Sequence, residues 1–172
     1  MRGIAIHLET EGFGRDPRAY ASFIRNALRS LIMVNVYAYE NDPTLPSIYE
    51  AGAVYRREPP GYEQFCDVST VLRRGYFDCE DGACAVAAWR IVRTGELARP
   101  CITWKPLSAI HHLYHITVLR ANGTREDPSK LCGMGNEPGE YVQRGPLWVY
   151  ELFSGRRGFV PPSVPVLERH AA

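Results

Sequence analysis

The sequence predicts an α+β domain in which helices pack on an antiparallel sheet that follows them in the chain. Before Gly95, apolar residues recur at the spacing of amphipathic helices. After Gly95 the pattern changes to the two-residue alternation of half-buried strands. Asn122-Gly123 then provides a strong signal for a tight hairpin turn. We therefore expect helices first and an antiparallel sheet second.

The first elements are a short strand and a long helix. Residues 3–8 are compatible with a short strand, and Asp16-Pro17 is an N-cap residue followed by proline at the first helical position. Apolar spacing predicts a helix from about residue 17 into the thirties. The stretch from Leu31 to Tyr39 is also rich in β-branched and aromatic residues, so its later part is ambiguous between helix and strand.

A proline-rich segment separates this helix from the next one. Residues 40–64 contain four prolines and are predicted to be irregular. Asp67 or Ser69 is then expected to cap a short helix that extends through Leu72 and ends at Gly75.

The second half begins with an apolar helix and continues as strands. The helix includes Ala83 to Val92 and ends near Gly95. Segments 100–104 and 112–119 are predicted strands, and residues 147–153 are a candidate for one more. The whole chain, 1–172, is expected to be a single domain with a loosely held tail at 161–172.

Composition excludes several classes of protein. Hydrophobic residues make up 45% and charged residues 23%, which argues against a disordered chain. A formal net charge of +1 argues against a nucleic-acid partner. The longest apolar stretch, Leu31 to Tyr39, is too short to span a bilayer and predicts no membrane association. We expect a cytoplasmic protein, with no secretory signal at its start.

Cysteine usage indicates reduced thiols. The five cysteines are an odd number, are irregularly spaced and include no Cys-x-x-Cys. A disulfide framework is therefore not expected.

Cys79 is the candidate nucleophile because it lies at a predicted helix start, directly after Asp78, a good N-cap residue. Unsatisfied N–H groups and the helix dipole favour a thiolate there, and such sites lower a thiol pKa from about 8.5 toward ~3.5–7.5. Glu80 and Asp81 oppose thiolate formation by like charge. The alternative is a small buried residue at a helix start, which is also the preferred interpretation of the other four cysteines.

His115 is the candidate base. It lies within an alternating strand, on the same face as Thr117 and Leu119. A strand histidine is often only structural, and His111 and His112 are rival bases. His115 is nevertheless the preferred candidate, because a nucleophilic cysteine requires a base that is itself oriented by a third group.

Asp127 is the candidate orienting acid, on the return arm of the hairpin that carries His115. An aspartate before proline is commonly only a turn residue. A two-residue turn at Asn122-Gly123 sets Asp127 opposite Val118, beyond direct contact with His115. A longer loop or a bulge is needed to bring the two together.

Three segments in this order carry a family resemblance: Asp78-Cys79-Glu80-Asp81, Tyr114-His115-Ile116-Thr117-Val118, and Asn122-Gly123 leading to Asp127-Pro128-Ser129. Over about residues 65–135 the chain resembles the transglutaminase-like cysteine enzymes, a branch of the papain-like fold. Phe77 departs from the pattern, because the family has glycine there. The wider context resembles the compact versions often encoded near phage structural genes.

This resemblance implies a papain-like core and a Cys79–His115–Asp127 triad that attacks amide bonds of a protein or peptide substrate. It implies Gln64 as a candidate donor to the oxyanion, beside the backbone N–H of Cys79. It implies no cofactor and no metal, since no stretch matches the calcium sites of the large animal enzymes. Phage structural proteins become possible partners, with a virion-associated location if the chain is phage-encoded.

Two other functions remain open. A non-catalytic virion structural or assembly protein can retain such a fold, because fold does not determine function. A metal site built from His111, His112, His115, Cys101 and Cys132 is disfavoured, because their spacing matches no zinc pattern. Among enzymes, hydrolysis, deamidation and amide transfer share one acyl-enzyme chemistry, and hydrolysis is favoured because water is always present.

Overall fold

The computed structural model describes residues 5–9, 17–59, 62–106, 112–135 and 142–146, and these form an α+β arrangement. The strands are β1 (Ala5–Glu9), β2 (Val54–Tyr55), β3 (Tyr62–Cys66), β4 (Tyr76–Phe77), β5 (Ala98–Pro106), β6 (His112–Arg120), β7 (Arg125–Glu126) and β8 (Val142–Pro146). The helices are α1 (Pro17–Asn41), α2 (Val68–Arg74), α3 (Cys79–Trp89) and α4 (Pro128–Leu131).

Helix α1 continues through the segment that was ambiguous in the sequence. Its buried apolar residues follow helical spacing and form one face: Ile24, Leu28, Leu31, Ile32, Val36 and Tyr39. This face packs against α3, and the burial it provides outweighs the β propensity of the individual residues. The helix ends at Asn41, shortly before Pro43, because the residue that precedes a proline disfavours the helical conformation.

Helix α2 is held at its start by two side chains. Asp67 is the N-cap, and its carboxylate accepts a hydrogen bond from the Thr70 N–H at 2.9 Å. Asn35 of α1 is fully buried, and its Oδ1 accepts from the Val68 N–H at 2.7 Å. Gly75 ends the helix in the left-handed conformation, at φ 74°. The predicted cap and stop at Asp67 and Gly75 are confirmed.

Helix α3 is the centre of the structure. It is buried from Glu80 to Ala88, and it contacts α1 on one side and strands β5 and β6 on the other. Small residues dominate its sequence, so these neighbours approach closely. A π-helical turn, Arg90–Thr94, continues it, and Gly95 follows in the left-handed conformation. The predicted buried helix and its stop near Gly95 are therefore confirmed, as is the core position of Cys84.

The main sheet has four strands in the order β7-β6-β5-β8, with antiparallel pairing throughout. The pairing of β5 with β6 is long and regular, with Thr103 opposite His115. The sheet packs against α3 through residues that include Ile102, Ile116 and Val118. The predicted order of helices followed by an antiparallel sheet is thereby confirmed.

Two short strand pairings lie outside the main sheet and were not predicted. Strand β3 pairs with β1 in antiparallel fashion, and β2 pairs with β4 in parallel fashion. The prediction that 40–64 is irregular is therefore wrong at Val54–Tyr55 and from Tyr62 onward. Both strands depend on distant partners, which local propensity does not reveal.

The candidate strand at 147–153 and the tail at 161–172 lie outside the described residues. Within the described segments, no helix has the combination of length and apolarity that crossing a membrane requires.

Candidate active site

Cys79 is the first residue of α3, as the sequence predicted. Asp78 precedes it in an extended conformation and occupies the N-cap position, but its side chain caps no helix N–H. The thiol donates a hydrogen bond to Glu80 Oε2 at 3.2 Å. The side chain is partly exposed, unlike the buried Cys66, Cys84 and Cys101. Among the cysteines, Cys79 and Cys132 are thus the two residues that are only partly buried.

The surroundings of the thiol favour its protonated form. Burial of the sulfur raises the pKa of Cys79, and the negative charge of Asp78 raises it further. The Glu80 hydrogen bond and the main-chain N–H of Ile116 act in the opposite direction without reversing the shift. The lowered thiol pKa expected from the helix start is therefore wrong for this environment. A cysteine held in this state needs a base to remove its proton.

The main-chain N–H of Ile116, in β6, forms a hydrogen bond with the Cys79 sulfur. Strand β6 therefore passes beside the start of α3 at Ile116. The preceding residue of that strand is His115. The first residue of α3 and the histidine-bearing part of β6 are therefore neighbours.

His115 and Asp127 form a direct pair. The ring nitrogen Nε2 of His115 lies 2.9 Å from Oδ2 of Asp127. His115 is buried, and the Asp127 side chain is 20% exposed. Burial raises the pKa of the Asp127 carboxyl, but the hydrogen bond and charge of His115 outweigh it and hold that pKa below its usual value. The pair orients the imidazole through one of its two nitrogens.

This contact depends on a hairpin register that differs from the predicted one. The turn contains three residues, Ala121 to Gly123, because the Arg120 N–H bonds to the Thr124 carbonyl, and Gly123 adopts φ 80°. Val118 consequently faces Glu126 rather than Asp127. When the same register is continued by one residue, Asp127 lies opposite Thr117, whose side chain is on the same face of β6 as that of His115. A shift of one residue exchanges the two faces of a strand, so the expected separation of Asp127 from His115 is wrong.

The end of β7 is anchored just before Asp127. Glu126 forms an ion pair with Arg90 Nη2 at 2.6 Å and accepts a hydrogen bond from the Tyr49 hydroxyl at 2.7 Å. Asp127 itself is the N-cap of α4, and its Oδ1 accepts from the Lys130 N–H. One carboxylate oxygen therefore caps a helix while the other contacts His115.

The rival histidines precede His115 in the chain. His112 is the first residue of β6, where it pairs with Pro106 of β5. His111 lies outside the described residues. Among the described side chains, the one group of three or more metal-ligating residues that comes together contains no histidine or cysteine.

Gln64 lies in β3 and is anchored by Arg74. The guanidinium donates to Gln64 Oε1 at 2.7 Å, which fixes the orientation of the amide. The same guanidinium contacts Cys66 Sγ at 3.0 Å and Asp81 Oδ2 at 3.3 Å. Arg74 thus connects the proposed oxyanion donor to the buried start of α3.

Sequence reasoning missed the role of two acidic residues next to Cys79. Asp81 is fully buried, and besides Arg74 it binds the Cys66 N–H at 2.6 Å, so it fastens α3 to β3. Glu80 is buried beside the thiol itself. In the sequence these residues are indistinguishable from ordinary helix N-terminal acids.

Comparison with known proteins adds no relative. No protein-family model, no curated protein and no solved structure matches this chain.

Proposed function

We propose that this chain is a cysteine-nucleophile acyl-transfer enzyme, with a transglutaminase-like, papain-like core, that acts on amide bonds of a protein or peptide substrate. Cys79 is the nucleophile, His115 the general base and Asp127 the group that orients the base. The carrying observation is the 2.9 Å contact between His115 Nε2 and Asp127 Oδ2 on the strand that passes the Cys79 sulfur.

The geometry supports a defined division of roles. Because Nε2 of His115 faces Asp127, Nδ1 is the ring nitrogen that acts as base in this scheme. It accepts the Cys79 thiol proton while Nε2–H donates to the Asp127 carboxylate, which remains ionised. The carboxylate then stabilises the imidazolium that forms.

The reaction follows from these roles. The Cys79 sulfur attacks the substrate carbonyl carbon, and the tetrahedral oxyanion is stabilised by the Cys79 N–H and the Gln64 amide. The carbon–nitrogen bond breaks, His115 returns its proton to the leaving amine or ammonia, and a thioester remains on Cys79. Water or a second amine then attacks the thioester while His115 accepts a proton from it. The carbon–sulfur bond breaks, the acid or new amide is released, and His115 returns the proton to the Cys79 sulfur. Hydrolysis and amide transfer therefore differ only in this last nucleophile.

The raised thiol pKa is compatible with this scheme. A cysteine held as the thiol in the resting state is activated by proton transfer to a base during attack, as in serine-type catalysis. We therefore expect thiol reactivity to depend strongly on His115.

Selective alkylation tests the proposal. Iodoacetamide is added at neutral pH, and the rate at each cysteine is measured by peptide mass spectrometry. Cys132 is an internal control, because it is also partly exposed but lies outside the triad. We expect Cys79 to react at least ten times faster than Cys132, and this advantage to disappear in His115→Ala. Equal, slow labelling of both thiols contradicts the mechanism and supports a non-catalytic structural or assembly protein.

Product analysis identifies the reaction. An unfolded protein substrate such as casein is incubated with the enzyme, with and without a fluorescent primary amine. New amino termini indicate hydrolysis, released ammonia indicates deamidation, and incorporated fluorophore indicates amide transfer. Cys79→Ala is the matched control, and turnover that persists in this variant rules out Cys79 as the nucleophile.

A further inference from the structure

Three glutamate side chains converge beside the candidate nucleophile. Glu58 precedes β3, Glu63 lies within it, and Glu80 belongs to the first turn of α3. One carboxylate oxygen of each lies within 4.8 Å of the others. Residues that are distant in sequence thus place three acidic groups around one point.

A fourth carboxylate is buried against this group. Asp78 is 6% exposed and Glu80 is 4% exposed, and within the described structure Asp78 Oδ1 and Glu80 Oε1 have no hydrogen-bond partner. The Asp78 side chain lies within hydrogen-bonding reach of both Glu58 and Glu80, so it points into the group. Buried carboxylate oxygens without donors are costly and require a compensating partner.

The positive charge of Arg74 acts on Glu58 but is shared with several other groups. Arg74 acts on Glu58 from a distance, while its guanidinium contacts Gln64, Cys66 and Asp81. Glu58 Oε2 accepts a hydrogen bond from the Gln64 main-chain N–H at 2.7 Å, which holds this side chain against β3. The acidic groups thus share a site in which Asp78 and Glu80 are buried.

We propose that Glu58, Glu63 and Glu80 bind a hard divalent cation, with Asp78 as a further oxygen donor. Carboxylate-only donor sets suit Ca²⁺, Mg²⁺ and Mn²⁺, whereas zinc and copper sites in proteins usually include nitrogen or sulfur ligands. Ca²⁺ binds oxygen at about 2.3–2.6 Å, so two oxygens on opposite sides of the ion lie about 5 Å apart. The three oxygens lie within 4.8 Å of one another, so one such ion can contact all of them. Ca²⁺ is expected to bind more tightly than Mg²⁺, because Mg²⁺ requires near-ideal octahedral geometry and gives up its water reluctantly.

Calorimetric titration of the full-length protein tests the site. After treatment with a chelator, the protein is titrated with CaCl2 and separately with MgCl2. We expect one Ca²⁺ per chain, with affinity at least tenfold weaker in Glu58→Gln and in Glu63→Gln. Glu40→Gln is the matched control, because Glu40 is an exposed glutamate of α1. Absence of binding of either cation up to about 10 mM, which is roughly ten times the weak limit for extracellular calcium modules, or equal binding by all variants, overturns the proposal.

Thermal unfolding separates cation binding from simple proton sharing among the acids. Ca²⁺ is expected to raise the Tm of the wild-type protein, because it binds only the folded state. Glu63→Gln is expected to show a smaller rise in Tm than the wild type on adding Ca²⁺, since one ligand carboxylate is removed. If Glu63→Gln has a higher Tm than the wild type and Ca²⁺ changes the Tm of neither protein, the cation site is contradicted and a proton shared among the acids is indicated instead.

The cation site can be tested separately from the proposed chemistry, although Glu80 also accepts a hydrogen bond from the Cys79 thiol. Cys79→Ala removes the nucleophile but retains all four carboxylates, so this variant is expected to bind Ca²⁺ with wild-type affinity. If Cys79→Ala does not bind Ca²⁺, the proposed ligand set is contradicted. If Cys79 and Cys132 of the wild type are alkylated at equal rates, only the proposed enzyme function is contradicted.

Discussion

Asp127 contacts His115 with one carboxylate oxygen and caps helix α4 with the other. The two oxygens have separable functions, because an amide or a hydroxyl can cap a helix but neither carries a charge. The histidine contact lowers the pKa of the Asp127 carboxyl against the opposing effect of burial. This contact therefore contributes stability that depends on pH.

The first prediction concerns the charge of Asp127. Since the folded-state pKa is depressed, its contribution is fully present above the unfolded pKa of about 4 and is lost as the pH falls through the folded value. Asp127→Asn retains the cap and is expected to lower the free energy of unfolding by about 1–2 kcal/mol at pH 7. Urea denaturation at pH 7 and pH 3 measures this, and a difference that is unchanged at pH 3 contradicts the assignment.

The second prediction concerns Gly82. A Cβ at this position in α3 overlaps the ring of the buried Phe77, at atoms Cδ2 and Cε2. Gly82→Ala is therefore expected to destabilise the fold by about 1–3 kcal/mol through overpacking, although alanine is the better helix former. The matched control is Gly135→Ala, because a Cβ at Gly135 meets no atom within 4 Å. Thermal unfolding compares the two, and a Gly82→Ala variant as stable as the wild type is incompatible with this packing.

The third prediction concerns the buried pair of Arg74 and Asp81. Arg74→Met leaves the Asp81 carboxylate without its guanidinium, and removing one partner of a buried pair typically costs about 3–5 kcal/mol. Arg73→Met is the matched control, since Arg73 is exposed on the same helix. Chemical denaturation is expected to show a large loss only for Arg74→Met. Equal, small losses in both variants disprove the importance of the pair.

The fourth prediction concerns Asn35. Asn35→Leu places an apolar residue in an apolar region, yet we expect it to destabilise the protein by about 1–3 kcal/mol. The reason is that the Val68 N–H at the start of α2 loses its acceptor. The comparison is Asn41→Leu, an exposed position at the end of α1 whose amide bonds only within that helix. If urea denaturation shows Asn35→Leu to be as stable as the wild type, this hydrogen bond makes no net contribution to the free energy of unfolding.

Local sequence determined most of the secondary structure. The Asp67 cap, the Gly75 and Gly95 stops and the buried α3 were all readable, because capping and helical periodicity act over a few residues. The position of Cys79 at a helix start was readable for the same reason. Strands β2 and β3 were not, since each forms only against a distant partner.

Tertiary structure decided the relationships between these elements. The three-residue turn set the register that brings Asp127 to the His115 face, and a difference of one residue is invisible in alternating patterns. The state of the Cys79 thiol was likewise decided by packing, because burial and the Asp78 charge outweigh the favourable helix start. Sequence alone thus identifies the candidate site residues, whereas the distances between them and their protonation depend on the packing and charge that only the folded chain arranges.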